Sequence, residues 1–288
     1  MIKKGIILAG GRGTRMSPLT KAVNKQLLPI YDKPLIYYPL SVLMLAGIKE
    51  ILIIVNTGQL SQFKKILSDG KRFGVNIKYA EQASPKGLPD AFILGEKFIG
   101  KDNVSLILGD NFFYAQSLTT KLKDCVKLNS GCKVLLHPVI KPELYGVAKI
   151  DKNKKIINLK EKPKKFVSNL AVTGLYFFDN KVIKYSKSLK PSNRKELEIV
   201  DLLMKYKSKK SLKAEFLGRG GAWLDTGSID DFYDTSSFVS AIEKRQGLKI
   251  ACLEEIAFNY NWIDKKEIVE AIKFYGNCIY SKYLKKLL

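Results

Sequence analysis

Three groups of residues in this chain are of a type and setting suited to phosphate chemistry. The first is Gly10-Gly11-Arg12-Gly13-Thr14-Arg15, placed directly after the apolar run Gly5-Ile6-Ile7-Leu8-Ala9. Glycine lets a backbone turn sharply and approach a ligand closely, so that amide N–H groups can point at an anion. Arg15 adds a guanidinium with bidentate reach for phosphate oxygens. No Gly-Lys-Ser/Thr follows, which separates the loop from a Walker A motif. Met16 stands where a dinucleotide fingerprint needs its third glycine. The other two groups are single carboxylates. Asp110 closes Leu106-Ile107-Leu108-Gly109, and Asp225 stands in Gly221-Ala222-Trp223-Leu224-Asp225-Thr226-Gly227. A carboxylate at the mouth of a buried strand is costly unless something positive meets it. Mg²⁺ has the right chemistry, because it takes one or two carboxylates and fills its other positions with water and substrate phosphate. Each feature alone also reads as a tight turn or a helix cap. Together they mark a place for the phosphates of a nucleotide.

The elements that must position these groups follow from hydrophobic patterning. A strand over Gly5–Ala9 is followed by a helix from Pro34 to Ala46 that stops at Gly47, and then by a strand over Ile51–Val55. Helix Gly58–Asp69, strand Val75–Ala80, helix Leu88–Phe98 and strand Val104–Leu108 continue the alternation. This βαβ rhythm predicts a Rossmann-like α/β fold with a mixed, mainly parallel central sheet flanked by helices. Ligands in such sheets sit beyond the carboxyl ends of the strands, where Gly10–Arg15 and Asp110 emerge. The runs Val134–Val139, Val147–Ile150, Ile156–Leu159 and Ala171–Phe178 predict a mixed or antiparallel extension. Beyond Gly227 the pattern is helical, over Ile229–Arg245, Lys265–Phe274 and Ile279–Leu287. The expected organisation is a core over residues 1–240 and a helical C-terminal segment over 241–288, packed on the core or at a subunit interface.

Composition narrows the function classes. No stretch approaches the roughly 20 apolar residues of a membrane span, and Met1-Ile2-Lys3-Lys4 runs straight into the first strand, leaving no room for a signal peptide. The four cysteines form no Cys-x-x-Cys pair and no zinc spacing with the one histidine. Reduced thiols and a cytoplasmic location are expected. The net charge of +23 comes from 44 Lys and only 6 Arg, scattered along the whole chain. Nucleic-acid readers lean on clustered arginine, so no nucleic-acid partner is expected, although the positive field would draw anionic substrates to a cleft. His137 lies inside an apolar run and reads as structural.

In this order and spacing, several signatures carry a resemblance. They are Leu8–Arg15, Lys25-Gln26-Leu27-Leu28-Pro29, Tyr31-Asp32-Lys33-Pro34, Gly109-Asp110-Asn111, Tyr145-Gly146-Val147, Glu161-Lys162-Pro163, Val172-Thr173-Gly174-Leu175-Tyr176 and Trp223–Gly227. Over effectively its whole length the chain resembles the sugar-1-phosphate nucleotidyltransferases, in particular their thymidylyltransferase branch. The resemblance implies that a nucleoside triphosphate, dTTP, is joined to glucose 1-phosphate with release of pyrophosphate, in the service of deoxysugar (rhamnose-type) synthesis. The attacking phosphate oxygen is already anionic, so no general base is required, and catalysis is alignment plus charge neutralisation at the α-phosphorus.

The resemblance also implies roles. Asp110 and Asp225 hold Mg²⁺. Arg15 and the loop residues Gly10, Gly11, Gly13 and Thr14 stabilise the departing pyrophosphate. Lys25 steadies the triphosphate, and Lys162 grips the sugar phosphate. Leu8, Gln26, Gln82 and Gly87 surround the pyrimidine, a glutamine amide matching the N3–H and carbonyl edge of thymine. Tyr145, Gly146, Glu161, Val172 and Tyr176 form the sugar pocket. Thymine differs from uracil by one methyl, so leakage to UTP is expected. A homotetramer is implied as well. Arg12 replaces a small residue usual in the loop. Pro89-Asp90-Ala91 stands where Ala-Gln-Ala is usual and alters the base-side contacts. The regulatory surface of the family, around Tyr114–Thr119, Arg219 and Glu255–Asn259, also departs from the usual residues. Other readings are the same reaction with UTP or another hexose 1-phosphate, a nucleotide-sugar-dependent glycosyltransferase (for which no Asp-x-Asp motif is found), and a catalytically inert sensor.

Overall fold

A computed structural model describes residues 1–11 and 13–288; Arg12, singled out in the glycine loop, lies outside them. Strands β1 (Lys4–Ala9), β4 (Glu50–Asn56), β5 (Asn76–Gln82) and β6 (Val104–Leu108) form the parallel half of a nine-stranded sheet, in the order β5-β4-β1-β6. In β1, Ile6 stands beside Leu52 and Leu106 while Ile7 stands beside Ile53 and Ile107. Adjacent side chains point to opposite faces, so Ile6 enters one hydrophobic cluster and Ile7 the other. Each fully buried side chain of this size stabilises the fold by about 1.5–3 kcal/mol. The alternation is invisible as polarity because both faces are covered.

Beyond β6 the direction reverses. Strand β11 (Leu170–Phe178) runs antiparallel to β6, carries β8 (Cys132–Pro138) along its other edge, and extends past the end of β6 to meet β9 (Gly146–Ile150). Strand β10 (Ile156–Glu161) pairs with β9, and β12 (Leu212–Phe216) runs parallel to β8. Two short pairs complete the strands: β2 (Pro29–Ile30) with β3 (Lys33–Pro34), and β7 (Asn111–Tyr114) with β13 (Ala222–Asp225). His137 lies in β8, half-buried, and burial holds its imidazole below the usual range.

Helices cover both faces, as the alternation predicts. On the Ile7 side lie α1 (Tyr37–Leu45), α2 (Leu60–Leu67) and α5 (Leu118–Cys125). On the Ile6 side lie α3 (Asp90–Leu94), α4 (Glu96–Ile99), α6 (Lys181–Lys187) and α7 (Ile199–Ser208). The single helix expected over Leu88–Phe98 is two, divided at Gly95. A β-carbon there would come within 2.9 Å of the Ala91 carbonyl and 3.0 Å of Ile6 Cδ1, so the glycine lets the chain press onto the sheet.

Helix α8 (Ile229–Gln246) runs unbroken through residue 240. It is capped at its start by a reciprocal Ser228–Asp231 box and ended by Gly247 at φ 70°. Helices α9 (Leu253–Asn259), α10 (Lys265–Tyr275) and α11 (Ile279–Leu284) complete the helical C-terminal segment, and α9 packs against α1. Glu254 in α9 is fully buried, and its carboxylate accepts from Tyr275 Oη at 2.7 Å and Tyr280 Oη at 2.6 Å. No helix among the described residues is long and apolar enough to cross a membrane.

Candidate active site

The glycine loop leaves the carboxyl end of β1 with Gly11 at φ 113° and Gly13 at φ 58°. These are backbone conformations that other residues enter at a cost. Asn56, the last residue of β4, holds the loop from the neighbouring strand. Its Oδ1 accepts from Gly11 N at 2.9 Å, and its Nδ2 donates to Gly11 O at 2.8 Å. Asn24 donates to Ala9 O at 3.2 Å. Thr20 Oγ1 donates to Gly13 O at 2.8 Å, and Thr14–Met16 forms one 3₁₀ turn. The expected anion loop is therefore clamped by side chains that sequence reasoning did not single out. Asn56 carried a signal, since it ends an apolar strand as Asp110 does.

The two carboxylates meet because β7 and β13 pair. Asn111 stands opposite Asp225, and Thr226 donates to the Asp110 carbonyl through both its N–H, at 3.1 Å, and its Oγ1, at 2.8 Å. Lys25, buried, donates to Asp110 Oδ2 at 2.8 Å. Burial pushes the Asp110 carboxyl up, but Lys25 beside it wins and holds it below the usual range. Burial, then the charge of Asp110, push Asp225 well above that range. A β-carbon on Gly227 would lie 3.2 Å from Asp225 Oδ2 and 3.3 Å from both terminal nitrogens of Arg15, so both side chains border this glycine. Arg15, Lys25, Asp110 and Asp225 thus lie near one another. The donor set suits Mg²⁺: two hard carboxylates near enough to feel each other, with Asp225 made reluctant to ionise by burial and then by the charge of Asp110, which a divalent cation would relieve.

Asn111 orders this corner. Its Oδ1 accepts from Trp223 Nε1 at 2.7 Å and from Gly174 N at 3.0 Å, while its Nδ2 donates to Asp110 Oδ1 at 3.1 Å. Only glycine fits at 174, where a β-carbon would stand 2.4 Å from Asn111 Oδ1.

Of the residues expected to surround the base, Gln26 is buried and its Oε1 finds no hydrogen-bond donor among the described residues. Gln26 Cγ lies 3.0 Å from where a β-carbon on Gly109 would stand. Gly109 in turn donates to the Leu8 carbonyl at 2.9 Å, which puts Leu8 and Gln26 together. Gln82 ends β5, and its Nε2 donates to Asp90 Oδ2 at 2.8 Å with both side chains buried. The carboxylate expected to alter the base-side contacts thus engages the glutamine. Gly87, at φ 97°, lies against the backbone of Leu197, whose carbonyl would be 2.1 Å from a β-carbon.

The residues expected to take the sugar stand on or beside β9, β10 and β11. Gly146 stands opposite Glu161, leaving space for its carboxylate 3.0 Å from where a β-carbon would be. Tyr145 packs its ring against Trp223 with centroids 5.0 Å apart, and burial, with Asp225 nearby, pushes its phenol up to about 12. Lys162, exposed at φ 39°, donates its N–H to Tyr145 O at 3.0 Å. Val172 and Tyr176 are buried in β11, Tyr176 stacked on Phe178. Arg194, which sequence reasoning missed, reaches Glu161 Oε1 at 3.3 Å and grips Glu198 through Nε at 3.1 Å and Nη2 at 2.6 Å. Burial raises the Glu161 carboxyl, and Arg194 opposes the rise. No periodicity flags Arg194, which lies in a short turn before α7.

The family model described as nucleotidyl transferase matches residues 4–242. The chain is 50% identical over 285 residues to the glucose-1-phosphate thymidylyltransferase of Neisseria meningitidis, covering 99% of each. It is 45% identical over 285 residues to that of Mycobacterium tuberculosis, covering 99% of each. Among solved structures, a candidate glucose-1-phosphate thymidylyltransferase from Bacillus anthracis in complex with sucrose superposes with a TM-score of 0.76 at 40% identity, over 82% of this chain and 94% of that one. A UDP-glucose pyrophosphorylase complexed with UDP-glucose gives a TM-score of 0.74 at 28% identity, over 85% of this chain and all of that one.

Proposed function

The chain belongs to the nucleotidyl transferase family, and on that premise we propose that it moves a thymidylyl group from dTTP to glucose 1-phosphate, giving dTDP-glucose and pyrophosphate. The observation that carries the reading is the convergence of Asp110, Asp225, Lys25 and Arg15 at the glycine loop, with the Glu161–Arg194 pocket beside it. A sugar-phosphate oxygen attacks the α-phosphorus in line, and the bond from the α-phosphorus to the bridging oxygen breaks, that oxygen leaving on pyrophosphate. Arg15 and the loop amides receive the charge that builds on the leaving group. Lys25 orders the triphosphate while it holds Asp110, and Lys162 with Arg194 positions the sugar phosphate. Glu161 accepts from sugar hydroxyls. Asp110 and Asp225 would hold Mg²⁺, which when bound neutralises charge on the α-phosphate. The product would supply nucleotide-sugar biosynthesis of the rhamnose type, in the cytoplasm, from a homotetramer.

The test is pyrophosphate release with Mg²⁺, crossing dTTP, UTP, dCTP and ATP against glucose, galactose, glucosamine and mannose 1-phosphates. The expected result is fast turnover with dTTP and glucose 1-phosphate and weaker turnover with UTP. Release with no pair would overturn the reading. Equal use of UTP would keep the chemistry and remove thymine selectivity.

A further inference from the structure

Gln82 has an amide whose two ends are nearly isosteric, so its orientation is decided by what it meets. Here it meets a carboxylate. Asp90 is acceptor-only, is buried, and lies 2.8 Å from one end of the amide, so that end must be the NH₂. The other end, Oε1, is turned to the glycine loop, 2.9 Å from where a β-carbon on Gly10 would stand. Turning the amide over would set Oε1 against the Asp90 carboxylate, two acceptors with no proton between them. Asp90 is itself fixed, since its N–H donates to Gly87 O at 3.3 Å and Gly87 is held against Leu197. A glutamine in its place could offer Gln82 either a donor or an acceptor and would leave the amide free to turn.

We propose that Asp90 is a positioning residue for base selection. By locking Gln82 in one orientation, it commits the site to pyrimidines with a thymine-type edge and excludes the cytosine-type edge. Thymine and uracil present a donor at N3 beside a carbonyl oxygen. Cytosine presents the reverse, an acceptor at N3 beside an amino group. An amide that can turn over serves either pattern; one that cannot serves a single pattern. This inference rests on the reading that the pyrimidine lies against Gln82.

The test compares kcat/KM for dTTP and dCTP, with glucose 1-phosphate, in the wild-type enzyme and in Asp90→Asn and Asp90→Ala. Asparagine keeps the volume but offers either end of an amide; alanine removes the acceptor, and thermal melting of both variants reports folding. The expected result is a fall of about tenfold in the dTTP-to-dCTP preference, with dCTP efficiency rising in absolute terms, as suits one two-point base contact losing its fixed polarity. Equal losses for both nucleotides, leaving the preference unchanged, would overturn the assignment and make Asp90 purely structural. A wild-type enzyme that releases pyrophosphate with neither nucleotide would instead fell the thymidylyltransferase reading, and this inference with it.

Discussion

The two sides of the site, which we assign to the nucleotide and to the sugar, are held by different physics. Around the glycine loop the restraints are neutral amides: Asn56 makes a two-way clamp on Gly11, and Asn24 holds Ala9. Around the sugar pocket they are charges at partly exposed positions, with Arg194 shared between Glu161 and Glu198. The neutral clamp shapes backbone N–H groups before any ligand arrives, so its stiffness is independent of salt and pH. The charged cluster can exchange partners, and Arg194 can turn from a carboxylate to an incoming phosphate with little change of geometry. Between the two halves stands the carboxylate pair. Asp110 immediately precedes β7 and Asp225 ends β13, so the pair is brought together by the β7–β13 ribbon.

This contrast can be broken in order of expected effect. Asp225→Asn, at the junction, should lower kcat about 10²–10³-fold in steady-state assays while both KM values move little, since preorganised charge at a phosphoryl centre is worth that much. Arg194→Met should raise the KM for glucose 1-phosphate by about 10–100-fold, on the scale of a charge-assisted hydrogen bond, and leave the KM for dTTP nearly unchanged. Asn56→Ala should do the converse, raising the KM for dTTP by about tenfold through loss of two partly buried loop hydrogen bonds. An equal rise in both KM values for either variant would dissolve the distinction between the halves. The smallest effect concerns pH. Arg194 lowers a Glu161 carboxyl that burial raises, so its removal lets that carboxyl rise further. In Arg194→Met, the acid limb of kcat/KM for glucose 1-phosphate should therefore move to higher pH, while a shift to lower pH would contradict the assigned sign.

Much of the nucleotide side was legible in the chain because it is local. Apolar runs ended by glycine or a single polar residue define β1, β4 and β6, and parallel strand order then brings their carboxyl ends together. The sugar side was legible mainly through resemblance to a family. Strand β7 begins just after Asp110 and β13 ends at Asp225; they have four residues each and lie more than a hundred positions apart, so no window of sequence contains their pairing. Arg194 escaped because a lone arginine in a turn looks like any solvated charge. The helix expected over Leu88–Phe98 divides at Gly95 because of how closely it approaches Ile6, a tertiary constraint that periodicity does not carry.

Outside the site, a charge quartet, with Lys33 and Glu243 buried and Asp32 and Lys249 half-buried, links the β2–β3 hairpin to the C-terminal segment. Lys33 pairs with Asp32 at 2.5 Å and with Glu243 at 3.0 Å, while Lys249 pairs with Asp32 and with Glu243 at 3.2 Å. Glu243 also accepts from Ile250 N at 2.8 Å. Removing one charge from such a group leaves the others buried and uncompensated, at a cost of about 3–5 kcal/mol. Glu243→Ala should accordingly lower the thermal midpoint clearly, and an unchanged midpoint would mean that the quartet is solvated.

The central claim is that Asp110 and Asp225 act as one site because the β7–β13 ribbon puts them there. The most direct measurement is a double-mutant cycle on kcat with Asp110→Asn, Asp225→Asn and the pair, at saturating dTTP, glucose 1-phosphate and Mg²⁺. Groups that act as a unit are strongly non-additive, so the double variant should be little slower than the worse single one. Losses that multiply would show two independent contributions and contradict the account.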